Sequence, residues 1–593
     1  MFRLTTVLTL ASVASVCVVW WVFGILAAAT HALLCVYVAN RLFAAYLMAG
    51  PRTSRQIPPT PIAPCQRLSA AQLNRAYKEG KLSCEEVVRT YIEHIKVVNP
   101  YINAMVFECF DEAIETAAKA DKIWANWRSK RTGKEPSWLL GVPCTIKESI
   151  CVAGCPNASG LPQRDNNISP VDSPVVKNFR DAGAIILGVT NTSELCLWYE
   201  SSNHVYGITC NPYDTRRIVG GSSGGEGASA GAAFSVFSLG SDIGGSIRMP
   251  AFFNGVFGHK ASPHYISISG QHPKPVATSV HFMSTGPISR FVEDIAPLCR
   301  VAARGGFLEN PEKYPPRPPL RDIPRLGAGT PLRVYILEDY GTFSVRTSAS
   351  QLAAVRAAAC VLEERYGAKV TFVNLHDRRR CSGDEVVRLF KPFSMSFALW
   401  AAAVSSDKEE VAFTELLTDG LENFSILREI LMWLVGCSRH TLPALVLWVV
   451  DALLQKLPKW GPHATMECTL SEFKRELEGI LGTDGVIVAP TFPSVAPRHH
   501  WPLLTPFNFQ YTAIFNVLRM PVTAVPIWQD ELREKATVPT AEEARELGAD
   551  DDYHLPKGVQ VAAREGNDEL SIAVASALGE ALGGYKYPGW AAL

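Results

Sequence analysis

The sequence predicts an α/β fold, because strand-like apolar runs alternate with amphipathic helical stretches. Two short runs rich in β-branched residues, 332–336 and 369–373, bracket a stretch with helical periodicity at residues 351–366. A strand, a helix and a second strand in this order form the unit from which helix-covered parallel sheets are built. Further strand-like runs occur at residues 184–189 and 485–489, so we expect the same class along most of the chain.

The first clear helix begins with a capping pattern. Ser83 is followed three residues later by Glu86, the spacing at which two side chains cap each other's backbone N–H groups. Apolar residues then recur at helical spacing as far as Asn99 and Pro100. We expect the helix to end there, because proline interrupts the backbone hydrogen bonds.

The composition excludes several classes of function. The chain of 593 residues has 57 basic and 57 acidic side chains, so its net charge is zero and no nucleic-acid surface is expected. The 15 cysteines have no repeating spacing, which indicates mostly reduced core thiols rather than a disulfide framework. Cys151 and Cys155 lack a companion His or Cys pair at zinc spacing, so we expect neither a metal nor another cofactor.

The N-terminal region is predicted to be a membrane anchor. No charged residue occurs between Arg3 and Arg41, and about 20 apolar residues suffice to cross a bilayer as a helix. We place a transmembrane helix near residues 8–30, within an anchor of residues 1–50. A cleaved signal peptide is the alternative, but its apolar region would be too long. The prolines of residues 51–65 predict a stiff, extended linker.

A second apolar region, residues 426–460, is unusual for a soluble enzyme. It is rich in Leu, Val and Trp, and Gly436 and Pro443 interrupt it, so two short helices are expected rather than a second membrane span. Two interpretations stay open at this point. The pair is either a buried part of the core or an interfacial membrane cap, with Trp433 and Trp448 at the depth of the lipid headgroups.

Two glycine-flanked serine clusters indicate the chemistry. Ser222 and Ser223 lie between two glycine pairs, and Ser246 follows a third pair. Glycines there allow sharp loops with accessible N–H groups beside the hydroxyls. Upstream, Lys147 ends the apolar run of residues 142–146, so we expect a buried lysine stem that reaches one of the loops.

These motifs resemble those of the amidase signature family, whose catalytic unit is a Ser-Ser-Lys triad. Lys147, Ser222 and Ser246 stand at its three positions. Within the family, the segments 191–203 and 241–255 are most similar to the membrane-bound fatty-acid amide hydrolases of type 2.

The resemblance also implies the architecture. It spans residues 66–590 and implies one catalytic domain, residues 66–593, after the anchor and the linker. The implied fold is a large mixed β-sheet covered by helices on both faces (α/β/α). The C-terminal segments 521–526 and 555–561 resemble the closing strands of this fold.

The resemblance implies a role for each residue of the triad. Ser246 is the expected nucleophile, Lys147 the general base, and Ser222 the bridge that relays a proton between them. A lysine accepts a proton only in its neutral form, which burial in apolar surroundings favours. The expected oxyanion hole consists of consecutive backbone N–H groups, those of Ile243, Gly244, Gly245 and Ser246.

The neighbouring polar residues are expected to be structural. We interpret Ser223 as bonded within its own loop, and Asp242 and Arg248 as an ion pair that braces the nucleophile loop. Residues 220–224 also fit the G-x-S-x-G pattern with Ser222 as the nucleophile, but that hypothesis leaves the lysine without a role. A phosphate-binding loop is excluded because no Gly-Lys-Ser/Thr follows the glycines.

The expected function is therefore a membrane-anchored serine hydrolase that cleaves fatty-acid amides, such as N-acylethanolamines or long-chain primary amides, through an acyl-enzyme. A short-chain or aryl amidase of the same family is the alternative, and an amidotransferase subunit or a catalytically silent lipid-binding protein is less favoured.

The expected partners are the lipid amide and the bilayer, with a homodimer left open. We expect a single-pass protein of an endomembrane, such as the endoplasmic reticulum or a lipid droplet. The arginines after the helix weakly favour a cytosolic catalytic domain.

Overall fold

The computed structural model describes most of the chain: residues 55–130, 134–275, 277–307, 317–327, 329, 331–342, 345–404, 413–420, 425–456, 462–528 and 554–591. The anchor predicted for residues 1–50 lies outside these ranges. Within them, no helix combines the length and the apolar character that a membrane span requires.

The strands have the following bounds: β1 Met105–Glu108, β2 Pro143–Lys147, β3 Ile185–Thr190, β4 Ser202–Asn203, β5 Gly207–Ile208, β6 Phe237–Asp242, β7 Phe257–Lys260, β8 Ser284–Ser289, β9 Arg333–Asp339, β10 Lys369–Asn374, β11 Gly485–Pro490, β12 Val522–Ile527 and β13 Lys557–Ala563. In the described part of the chain, eleven of them form one mixed sheet in the order β1-β3-β2-β6-β8-β7-β12-β13-β11-β9-β10. The short strands β4 and β5 pair separately. The strands predicted near residues 184, 332, 369, 485, 521 and 555 are all confirmed.

The helices have the following bounds: α1 Ala70–Glu79, α2 Cys84–Ile102, α3 Phe110–Lys130, α4 Pro174–Asp181, α5 Gly224–Gly231, α6 Arg248–Phe253, α7 Val292–Ala302, α8 Ala349–Tyr366, α9 Asp384–Phe390, α10 Ser396–Val404, α11 Phe413–Thr418, α12 Ile426–Leu434, α13 Leu442–Lys456, α14 Pro462–Leu481, α15 Gln510–Val517 and α16 Asp568–Ala581. The predicted strand-helix-strand unit is β9-α8-β10, whose strands pair in parallel.

The central strands are buried along their whole length because both faces of the sheet are covered. In β11, Val486 and Val488 belong to one hydrophobic cluster, which includes residues of α8. Ile487 and Ala489 belong to another cluster, which includes residues of α10, α14 and α15. Successive residues of a strand point to opposite faces. The large mixed sheet with helical cover that we predicted is therefore confirmed.

The predicted end of α2 at Asn99 and Pro100 is wrong, because the helix continues to Ile102. A proline this close to the end removes only one N–H group from the last turn. Asn103 then takes the left-handed conformation, with φ 51°, and terminates the helix. At the other end, the Ser83 hydroxyl accepts the N–H of Glu86, so the Ser83 half of the predicted capping pattern is confirmed.

The described part of the predicted linker, residues 55–65, lies against the catalytic domain, and a short 3-10 helix begins within it at Pro64. Ile57 and Ile62 are buried. The N–H of Arg55 donates to Thr215 Oγ1 over 2.6 Å, and the N–H of Thr60 donates to the carbonyl oxygen of Trp590 over 3.0 Å. From Arg55 onward, this segment is therefore bound to the domain that it was expected to precede.

Candidate active site

The carboxyl ends of β2, β3 and β6 bring the predicted site residues to one edge of the sheet. β2 pairs in parallel with both neighbours, and Lys147 is opposite Thr190 of β3. Parallel strands that are neighbours end at the same edge of a sheet. Lys147 therefore lies beside the segment that follows β3 and the Ser246 loop that follows β6.

Lys147 is fully buried and makes two side-chain hydrogen bonds. Its Nζ donates to Ser222 Oγ over 2.7 Å and to Ser241 Oγ over 3.1 Å. The first contact joins the lysine to the loop that the sequence indicated. The contact with Ser241 was not predicted, although the position of Ser241 near the end of a strand-like run was an available signal.

The Ser222 loop is held from outside by residues that were not predicted from the sequence. The carbonyl oxygen of Ser222 accepts the hydroxyls of Thr192 (2.9 Å) and Ser201 (3.2 Å). A Cβ on Gly221 would lie 2.4 Å from the carbonyl oxygen of Trp198, so only glycine fits this close approach. Thr192 and Ser201 stand in the segment 191–203 that carried the family resemblance, which was the available signal.

The second loop brings Ser246 next to the first. The N–H of Ser223 donates to the carbonyl oxygen of Ser246 over 3.2 Å. Ser246 keeps 8% of its surface exposed, whereas Lys147 keeps none. Gly245 has φ 124°, and a Cβ there would lie 2.0 Å from Thr512 Oγ1, so the turn before Ser246 requires glycine.

The predicted ion pair of Asp242 and Arg248 is confirmed and fully buried. Arg248 Nε and Nη2 donate to the two carboxylate oxygens of Asp242, each over 3.0 Å. Arg248 also donates to the carbonyl oxygen of Thr512 and to Asn516 Oδ1, both on α15. Burial alone would raise the pKa of Asp242, but Arg248 and the hydrogen bonds hold that pKa far below its usual range. The Ser246 loop is thus fixed to α15 through a charged pair.

The carboxylate of Asp242 also organises the backbone of its own loop. It accepts the N–H of Gly245 over 2.8 Å and the N–H of Ile247 over 3.1 Å. Of the four N–H groups predicted for the oxyanion hole, the one on Gly245 already has an acceptor. A contribution from Gly245 therefore requires its hydrogen to be shared.

Ser223 differs from the prediction in its partner. Its hydroxyl donates to the carbonyl oxygen of Ser241 over 3.2 Å and accepts the N–H of Ser241 over 3.3 Å. The bonds therefore cross to β6 instead of staying within the loop, because the end of this strand lies against the start of α5. The Ser222 hydroxyl instead contacts Lys147, which does not fit the histidine-based G-x-S-x-G hypothesis.

An aromatic wall faces the Ser246 loop. Trp400 Nε1 donates to the carbonyl oxygen of Ile243 over 3.2 Å, and its ring packs edge-on against Phe509 at 5.0 Å. A Cβ on Gly244 would meet Phe509 at 3.6 Å. Phe397 continues the wall toward Phe507. These side chains lie far from the loop in sequence, and no local pattern indicated them.

Two buried carboxyl groups accompany Lys147 and were also missed. Glu148 follows it directly, and its carboxyl accepts the N–H groups of Ala158 and Ser159. Glu226, in the first turn of α5, is fully buried. Burial raises the pKa of Glu148 and raises that of Glu226 well above its usual value.

The helical hairpin formed by α12 and α13 is attached beside this site. Glu194 accepts His440 Nδ1 over 2.6 Å and the N–H of Thr441 over 2.8 Å, just before α13 begins. A cavity of about 210 Å³ lies between the hairpin and the core, and Trp198, Trp433 and other apolar side chains line it. The predicted pair of short helices is confirmed.

A lysine buried against one serine hydroxyl, beside a second glycine-flanked serine, is the arrangement of serine hydrolases that use lysine in place of histidine. The family comparison agrees with this class. The amidase family model matches residues 86–572, and the chain belongs to this family of amide-hydrolysing enzymes.

Individual members of the family are also similar to this chain. Fatty-acid amide hydrolase 2 of Homo sapiens is 39% identical over 554 residues, which cover 92% of this chain and 95% of that protein. Indoleacetamide hydrolase of Bradyrhizobium diazoefficiens is 38% identical over 237 residues, which cover 40% of this chain and 44% of that protein. A solved structure of a fatty acid amide hydrolase has a TM-score of 0.65 at 21% identity, and the match covers 88% of this chain and 87% of that one.

Proposed function

We propose that this protein is a membrane-associated serine hydrolase of fatty-acid amides, with Ser246 as its nucleophile. The observation that carries the proposal is the 2.7 Å hydrogen bond from buried Lys147 to Ser222, in a loop that contacts the Ser246 backbone. The similarity to fatty-acid amide hydrolase 2 over 92% of the chain supports the substrate class.

In the first step, Lys147 acts as the base and takes a proton from Ser222 as Ser222 takes one from Ser246. Ser246 Oγ then bonds to the amide carbon, and the carbonyl electron pair moves to oxygen. We assign the stabilisation of this oxyanion to the N–H groups of Ile243, Gly244 and Ser246, with that of Gly245 shared with Asp242.

The tetrahedral intermediate collapses when the C–N bond breaks and the electron pair leaves with nitrogen. The proton stored on Lys147 returns through Ser222 to the departing amine. This transfer is needed because an amide ion is a poor leaving group. Water then attacks the acyl-enzyme, and the same groups move the protons in the reverse order to release the fatty acid.

The surroundings of the Ser246 loop support the proposal that the acyl group of the substrate is apolar. The wall of Trp400, Phe509, Phe397 and Phe507 stands beside Gly244, where a substrate bound to the oxyanion donors would extend. Aromatic rings bury a large apolar area, so a long alkyl chain gains more from this wall than a short one.

The helical hairpin supports the membrane part of the proposal. No residue of α12 is buried, which is not the pattern of a core helix. The exposed large apolar side chains of the hairpin are aliphatic: Leu427 at 65% and Leu431 at 38% on α12, and Val446 at 44% and Val450 at 45% on α13. Trp433 and Trp448 are half-buried, so the aliphatic residues are the outermost ones. We propose that this hairpin is an interfacial cap that acts together with the N-terminal anchor.

Labelling with a fluorophosphonate tests the assignment of the nucleophile. We expect mass spectrometry to place a single adduct on Ser246 and the Ser246→Ala variant to remain unlabelled. An adduct on Ser222 would contradict the mechanism. A series of primary amides from short to long acyl chains tests the substrate class, and equal kcat/KM across the series would favour a short-chain amidase.

A further inference from the structure

Two cysteines that are 46 residues apart in the sequence meet at the loop that follows β2. Cys109 lies between β1 and α3, and Cys155 lies in the loop after β2. Their sulfur atoms are 3.4 Å apart, within hydrogen-bonding distance of each other. A disulfide requires the sulfurs to approach to about 2.05 Å, a small further movement.

The environment of the two thiols is unequal. Cys109 is partly exposed, whereas Cys155 is buried at 2% exposure. The hydrogen bond from the Cys155 thiol lowers the pKa of Cys109, and the same bond, with burial, raises that of Cys155. The Arg180 side chain also favours the Cys109 thiolate. Cys109 is therefore the thiol that an external oxidant reaches first, and Cys155 is placed to resolve the product.

We propose that Cys109 and Cys155 are a redox modification site that forms a reversible intramolecular disulfide with a small-molecule disulfide, such as oxidised glutathione. The Cys109 thiolate attacks one sulfur of the oxidant and expels one glutathione thiolate, which takes up a proton. Cys155 loses its proton and attacks Cys109 Sγ, and the second glutathione leaves. Two protein thiols are thereby oxidised as one disulfide is reduced to two thiols.

The new bond would stabilise the loop that holds Glu148 next to the catalytic lysine. Cys155 belongs to the same loop as Ala158 and Ser159, whose N–H groups bind the carboxyl of Glu148. The bond closes a loop with a sequence separation of 46 residues. Such a closure restricts the unfolded chain, so we expect the unfolding temperature to rise by about 2–4 °C in a chain of this size.

The experiment treats the full-length protein with oxidised glutathione, alkylates the remaining thiols and maps disulfides by mass spectrometry. We expect a cross-linked peptide pair that contains Cys109 and Cys155 and that dithiothreitol removes. The exposed thiols Cys437 and Cys468 serve as internal markers of oxidation. If these carry glutathione while Cys109 and Cys155 are both recovered as free thiols, the proposal is wrong.

Three variants distinguish this site from general thiol oxidation. Cys155→Ser removes the resolving thiol, so glutathione should remain attached to Cys109. Cys109→Ser should leave Cys155 reduced, and neither variant should gain thermal stability on oxidation. The matched control is Cys151→Ser, in the same loop, which should form the disulfide as the wild type does. Oxidation of Cys155 in Cys109→Ser to the same extent as in the wild type, or an unchanged unfolding temperature of the oxidised wild type, would overturn the inference.

Discussion

Ser222 and Ser223 are adjacent in sequence but have different partners, which makes them a matched pair. The Ser222 hydroxyl accepts from Lys147, whereas the Ser223 hydroxyl bonds to the backbone of Ser241. We expect Ser222→Ala to lower kcat by about 10² to 10⁴ because the proton relay is interrupted. Ser223→Ala should lower the free energy of unfolding by about 0.5–1.5 kcal/mol and leave kcat within a few-fold. Steady-state kinetics and thermal unfolding of both variants check this, and equal losses of kcat would contradict the assignment.

Two replacements of Lys147 test its role as the base: one removes the side chain, and the other keeps a long side chain that cannot accept a proton. Lys147→Ala should reduce kcat by about 10² to 10⁴, with residual activity that rises more steeply with pH as hydroxide replaces the base. Lys147→Arg keeps a long basic side chain, but its guanidinium group does not deprotonate in proteins and cannot act as the base. This variant should therefore be as inactive as the alanine variant. Activity near the wild-type level in either variant between pH 6 and pH 9 would show that the lysine is not the base.

His94 predicts a pH dependence of stability. The residue is buried, and its Nε2 donates to the carbonyl oxygen of Ala232 over 2.8 Å. Burial lowers the pKa of His94 from its usual value of 6.5 to about 4. Between these values the unfolded chain binds more protons than the folded one, so stability falls as the pH drops from 6.5 toward 4. His94 contributes at most about 3 kcal/mol to this decrease in the free energy of unfolding.

The measurement for His94 is the unfolding temperature at a series of pH values from 4.5 to 7.5. His94→Gln retains a donor for the carbonyl oxygen of Ala232 but does not titrate, so its unfolding temperature should fall less steeply below pH 6.5. His264 and His272, whose pKa values burial also lowers to about 4, should maintain part of the slope. Identical slopes for the wild type and the variant would contradict this argument.

At the level of single elements, the sequence predicted what is encoded locally. Glycine spacing around Ser222 and Ser246 marks sharp loops, and an apolar run that ends in Lys147 marks a strand. The Asp242–Arg248 pair lies within one loop and was predicted for the same reason. Contacts between distant segments were missed, as with Thr512 of α15 against Gly245 and Glu194 against His440. No local pattern specifies which loops a sheet of this strand order places side by side.

The attachment of the α12–α13 hairpin gives a prediction at this scale. Glu194 is the acceptor for both His440 and Thr441, and it lies two residues after Thr192, which binds the Ser222 loop. Glu194→Ala removes both bonds, so we expect kcat/KM for long-chain amides to fall more than kcat/KM for short-chain amides. Glu135→Ala, which removes an exposed ion pair with Lys78, is the control and should change neither. An equal loss of kcat/KM for all chain lengths would indicate a general effect on the Ser222 loop.

For the whole molecule, the proposed membrane association has two candidate sources, the predicted anchor and the hairpin. The docked segment begins at Arg55, so removal of residues 1–50 leaves its contacts with Thr215 and Trp590 in place. We expect this shortened protein to retain its fold and its activity on short amides. If membrane contact depended on the anchor alone, the shortened protein would no longer float with liposomes.

Because of the hairpin, we expect the shortened protein to keep its binding to liposomes. About half of each outermost aliphatic side chain is exposed, so inserting it into lipid contributes on the order of 1 kcal/mol. Leu427, Leu431, Val446 and Val450 together contribute about 4 kcal/mol, which is close to a thousandfold in partitioning. The shortened protein should therefore float with liposomes, and replacing these four residues with serine should release it. The control replaces Val97, Ile123 and Val171, which are 44%, 49% and 61% exposed on other elements, and should leave flotation unchanged. Equal release by both sets would mean that the hairpin is not a specific membrane surface, because general apolar exposure would then account for the binding.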